Sequence, residues 1–127
     1  MALQARLIDW NLPAEEAIQR ARATPEMIAQ WKADQADNRS HLWEFSGEAE
    51  GYLVTRVEQT DTGLEMVLVA ATGKNARPVI RWAMELARKH GFESIRTHIT
   101  RPGLQRIYEA EGWTERERIL EVRPNGR

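Results

Sequence analysis

Glu65, His98 and Tyr108 are the side chains of this sequence best suited to moving a proton. Glu65 interrupts the apolar run Leu64 to Ala70, alternating with Val67 and Val69 against Met66 and Leu68. A carboxylate there is either a base or an edge residue turned to solvent. His98 lies in a run where Ile95, Thr97 and Ile99 alternate with polar residues, and an imidazole titrates near neutral pH. It reads also as a hydrogen-bonded structural histidine. Tyr108 follows Leu104 by four residues, so the two share a helix face. Its phenol stays protonated at neutral pH and can donate to a leaving group, or it can satisfy a carbonyl in the core. A different chemistry gathers in Thr72-Gly73-Lys74-Asn75-Ala76-Arg77. Gly73 permits a tight turn and Pro78 opens a helix, whose first amides point outward unpaired and favour an anion. Lys74 and Arg77 add charge suited to phosphate. Without a ligand, the same residues make an ordinary strand-to-helix connection capped by Asn75.

Other chemistries are excluded by what is missing. There is no cysteine, so disulfides, thiolate zinc sites and cysteine nucleophiles fall together. The three histidines are far apart, without metal-ligand spacing. No phosphate-binding Walker loop or nucleophile elbow is present. The 127 residues, 42% apolar and 29% charged, suffice for one domain spanning positions 1–127. No apolar run approaches membrane-spanning length, and the first ten residues lack a signal-type apolar core, so a soluble cytoplasmic protein is expected. Met1 to Gly63 holds six basic and eleven acidic residues, and Leu64 to Arg127 twelve and eight. A positive half could face an anionic small molecule, whereas the slightly negative total argues against an extended nucleic-acid surface. The acidic first half, with Glu15, Glu16, Glu26, Asp34 and Asp37, would favour a cationic acceptor.

The elements that must position these groups follow from periodicity. Leu3 to Trp10 reads as a strand, Pro13 to Arg22 as a helix, and Thr24-Pro25-Glu26 starts a second helix that fades in Asp34 to Ser40. His41 to Phe45, Tyr52 to Gln59 and Leu64 to Ala70 are strands of an antiparallel meander. After the polar loop, a helix opens at Pro78 and ends at Gly91. A strand around Ile95 to Ile99, a short helix from Pro102 to Gly112 and a charged last strand over Glu115 to Arg123 complete the chain.

This β-α-α-β-β-β-α-β-α-β order, α/β with a twisted, mostly antiparallel sheet and a parallel pair at strands four and five, resembles the GNAT superfamily of N-acetyltransferases. Leu64 to Ala70 is similar to the family's fourth strand, Ala87-Arg88-Lys89-His90-Gly91-Phe92 to the helix end before its fifth, and Tyr108-Glu109-Ala110-Glu111-Gly112-Trp113 to its Tyr-Glu-x-x-Gly-aromatic signature. The family's pyrophosphate loop is Gln or Arg, two variable residues, Gly, one variable residue, then Gly or Ala; here Gly73 and Ala76 remain and the loop is shorter. Short members of this kind are similar to proteins of bacteriophage and prophage genomes. The resemblance implies transfer of acetyl from acetyl-CoA to an amine of a small molecule or protein, with the acceptor site walled by the first two helices. It implies that the backbone of Val69 to Ala71 holds the pantetheine arm and that Gly73, Lys74, Asn75, Ala76 and Arg77 surround the pyrophosphate. Arg101 stands where many members carry an asparagine near the pantetheine. Glu65 or His98 would be the base and Tyr108 the general acid. A homodimer, common in the family, would use an exposed edge of the third or last strand. The eroded loop favours an alternative, a GNAT-fold binding or assembly protein without catalysis.

Overall fold

Asn11 and Thr24 start the first two helices by the same device. The Asn11 carboxamide oxygen accepts from the Ala14 amide at 2.9 Å and Thr24 Oγ1 from the Met27 amide at 3.2 Å, each with a proline in the first turn. A computed structural model describes residues 2–98 and 102–116. It runs β1 (Gln4–Ile8), α1 (Leu12–Arg20), α2 (Pro25–Ala36), β2 (Ser40–Ser46), β3 (Glu50–Gln59), β4 (Leu64–Lys74), α3 (Ala76–Lys89), β5 (Ser94–Thr97) and α4 (Pro102–Ala110). The sheet order is β1-β2-β3-β4-β5, antiparallel up to β4 and parallel between β4 and β5. The expected mixed sheet is therefore present. The expected last strand lies outside the described residues from position 117 onward. The third strand offers no edge for a partner, because β3 is paired on both sides.

Helices cover both faces of the sheet. On one face, Phe45, Leu53, Met66 and Leu68 pack under Ile80, Ala83 and Ala87 of α3 and Tyr108 of α4. On the other, Leu42 and Val54 pack under Ala14 and Ile18 of α1 and Ile28 and Trp31 of α2. The tryptophans pack within one layer or the other. Trp10 stacks on Trp31 at 6.4 Å, Trp82 meets Trp43 and Phe45 edge-on at 4.7 and 4.9 Å, and Trp113 meets Tyr108 edge-on at 4.7 Å.

The polar loop expected at Thr72 to Arg77 is absent. Instead β4 continues to Lys74, which pairs with Glu50, and Asn75 alone separates it from α3. Glycine permits this extension. Gly51 and Gly73 face each other across β3 and β4 with φ of 142° and 127°. A Cβ on Gly73 would stand 1.8 Å from the Glu50 carbonyl oxygen, and one on Gly51 1.8 Å from that of Thr72. The helix also starts earlier than expected, at Ala76 rather than Pro78.

Candidate active site at the parting of two strands

Strand β4 carries a bulge. Val54 is opposite Ala70 and Thr55 opposite Leu68, so Val69 has no partner of its own. Its side chain and that of its neighbour Ala70 both pack toward the α1–α2 layer, breaking the alternation that places Met66 and Leu68 on the α3 side. The pairing with β5 ends at the same point, with Leu68 opposite Thr97. Beyond it, β4 runs on to Lys74 with no β5 residue beside it. The two strands part here, and among the described residues Val69 to Ala71 have no strand paired on that edge.

Tyr108 reaches the fork from α4. It is buried beside the Thr97 hydroxyl, which donates to the Leu68 carbonyl at 3.2 Å. Burial pushes the phenol pKa up and the neighbouring Thr97 hydroxyl offsets this only in part, which favours the protonated form. His98, the residue after β5, is exposed and lines the cleft on the α2 side of the fork. Arg101 lies outside the described residues.

Glu65 is elsewhere. It sits four residues before Val69, roughly 13 Å back along the strand, opposite Ser94 at the start of β5. Its carboxylate is buried, accepting from Ser94 Oγ at 2.8 Å and Arg116 Nη1 at 3.0 Å, with Arg96 Nε 3.3 Å away. Burial raises its pKa, but the Ser94 bond and the two guanidiniums outweigh that and hold it below the usual carboxylate range. A carboxylate so engaged is a poor base, and the geometry does not bring Glu65 to His98 and Tyr108. The expectation that it faces the parting of the strands is corrected accordingly: the pairing of Glu65 with Ser94 fixes it where β4 and β5 are still joined.

The start of α3 has the character of an anion site. Asn75 adopts the left-handed conformation, φ 67°, and its side chain does not cap the helix as expected but donates to the Glu48 carbonyl at 2.7 Å. No acidic residue lies in the first turn, while Lys74 and Arg77 flank it. Cations at a helix start oppose the dipole unless an anion joins them. Glu111 compensates in part: Arg81 bonds to it through Nε at 3.1 Å, and Arg77 Nε lies 3.5 Å away.

On the α1–α2 face, the fork opens into a cleft of about 410 Å³. Its floor is Val67 to Val69 and its α2 wall is Met27, Gln30 and Trp31. Arg56 and Glu58 of β3 and Arg96 of β5 line it also. The sequence reading missed these three. A signal existed: Arg56 and Glu58 are two apart on a strand and share a face, but their partner Arg96 is brought in only by the register through Val67. Among the described residues no group of three acidic, histidine or cysteine side chains could hold a metal, and no helix is long and apolar enough to cross a membrane.

No protein-family model and no curated protein matches this sequence. Solved structures match its fold. Glucosamine-6-phosphate N-acetyltransferase from Arabidopsis thaliana superposes with a TM-score of 0.68 at 9% identity, over 98% of this chain and 99% of that one. A predicted acetyltransferase with acetyl-CoA from Clostridium acetobutylicum gives 0.64 at 12%, over 95% and 96%. A transcriptional regulator from Bacillus halodurans C-125 gives 0.66 at 17%, over 94% and 99%. The fold is that of the GNAT acetyltransferases. These neighbours lend no support to a phage origin.

Proposed function

We propose that this chain is an acetyl-CoA-dependent N-acyltransferase that carries acetyl to the amine of a small molecule or a protein, with residues 1–127 forming its one domain. The observation that carries the reading is the fork itself: β4 leaves β5 at the Val69 bulge with the Tyr108 and Thr97 hydroxyls at the vertex. Acetyl-CoA supplies an acyl thioester and a thiolate leaving group. The open backbone of Val69 to Ala71 suits the amides of a pantetheine arm lying like a short strand. The bare first turn of α3, with Gly73, Lys74, Asn75, Ala76 and Arg77 around it, suits a pyrophosphate. An amine in the cleft attacks the acyl carbon from the α2 side. The carbon–nitrogen bond forms as the carbon–sulfur bond breaks, His98 or a water takes the amine proton, and Tyr108 gives its own to the sulfur.

A second reading, a GNAT-fold binding or assembly protein, draws support from the single-residue junction at Asn75 and from the engagement of Arg77 and Arg81 with Glu111. Calorimetric titration with acetyl-CoA and with free CoA separates the two. Saturable binding that weakens on Lys74→Ala and Arg77→Ala supports the transferase, and absence of heat at millimolar ligand overturns it in favour of the second reading.

A further inference from the structure

The wall of the cleft is a chain of charges on the α1–α2 face of the sheet. Glu58 and Glu65 stand directly opposite each other on β3 and β4, an arrangement that like charges alone would disfavour. Arginines bind them together. Arg56 Nη2 donates to Glu58 Oε1 at 2.8 Å, Arg96 Nη2 to Glu58 Oε2 at 2.6 Å, and Arg116 Nη1 to Glu65 Oε2 at 3.0 Å. Arg96 Nε lies 3.3 Å from Glu65 Oε1 but out of line, leaving that buried N–H without a hydrogen bond. Three guanidiniums thus share two carboxylates, and among the described residues the cleft lining itself holds Arg56 and Arg96 against Glu58. None of the acidic residues of the first half that pointed to a cationic acceptor lines this cleft.

We infer that the acceptor is an amine bearing its own anionic group, a carboxylate or a phosphate monoester, and that Arg56 and Arg96 hold that group. The inference rests on the transferase reading for the word acceptor, and on the cleft alone for the anion. Glu58, gripped from both sides, fixes the two guanidiniums, whose planar forks match either oxyanion. Trp31 and the valines of the floor give the carbon skeleton an apolar surface. The cleft adjoins Val69, so an anion on this wall leaves a short chain's amine free to reach the fork.

The experiment compares ethanolamine, O-phosphoethanolamine, β-alanine and putrescine, both as acetyl acceptors and, without any donor, by calorimetric titration. The anionic amines should exceed ethanolamine and putrescine by about tenfold or more in binding and in kcat/KM. Whichever of O-phosphoethanolamine and β-alanine leads identifies the anion. Arg56→Gln should bring the ratio close to one with donor binding unchanged, Arg56→Lys should keep part of it, and Arg88→Gln on the exposed side of α3 should leave it intact. Putrescine binding as well as the anionic amines, or a ratio that survives Arg56→Gln, overturns the inference. If no amine is acetylated while the titrations still favour the anionic amines, the transferase reading fails and the anion site stands.

Discussion

Tyr108 and Glu65 show how the same sequence cue, a polar group amid apolar ones, resolves in opposite ways. Tyr108 is buried beside Thr97 where the pairing of β4 and β5 ends, the place at which the proposed transfer needs a proton donor. Tyr108→Phe keeps the ring that packs on Trp113, so melting temperature should hold while turnover drops roughly 10²–10⁴-fold. Because the phenol is raised, the alkaline limb of the wild-type pH–rate profile should begin above about pH 10 and vanish in the variant. Glu65 is a structural charge. Its depressed pKa means that it contributes stability above the usual carboxylate range, and that this contribution is lost as pH falls through the lower folded value. Glu65→Gln should destabilise by roughly 1–3 kcal/mol at neutral pH, with the gap to wild type closing below about pH 4 in urea titrations. Residue type alone makes both candidates; only the strand register, which puts Glu65 beside Ser94 and Leu68 beside Thr97, separates them.

At the scale of elements, the order and the positions of the helices and strands were legible because caps, prolines and alternation are local. The end of β4 was not. Thr72-Gly73-Lys74-Asn75 has the composition of a turn, yet Thr72, Gly73 and Lys74 pair with Tyr52, Gly51 and Glu50, residues that read as a turn's end and a strand's beginning. That choice is made by two glycines distant in sequence, whose backbones approach too closely for any side chain. Gly73→Ala should therefore cost roughly 1–3 kcal/mol from strain at positive φ alone, and more from the clash; a thermal melt measures it. Its effect should reach α3, since Asn75 ties the strand end to the Glu48 carbonyl. Arg77→Ala should weaken CoA binding by only about 1 kcal/mol, because an exposed pair is screened and this side chain is 48% exposed and shared with Glu111.

Over the whole molecule, the uneven distribution of charge along the chain becomes a difference between the two helix layers. Helix α3 carries Arg77, Arg81, Arg88 and Lys89 against Glu85, whereas α1 and α2 carry Glu15, Glu16, Glu26 and Asp34 against Arg20 and Lys32. The positive layer borders the start of α3, and its field extends about 10 Å at 0.1 M salt. Affinity for CoA, a polyanion, should fall as salt rises from low to physiological concentration, and calorimetry in a salt series checks this. An uncharged pantetheine fragment should show no such slope. Composition alone disclosed the asymmetry, but not that it falls on opposite sides of one sheet.

The bulge at Val69 also divides β4 in time. Met66 to Leu68 are locked between β3 and β5, so their amides can exchange with deuterium only when the sheet itself opens. From Val69 onward one edge has no β5 neighbour, and local fluctuation suffices for exchange. A single strand should thus show slow and fast deuterium uptake meeting at one residue, and a ligand lying along the open arm should slow the fast half while leaving the slow half as it was.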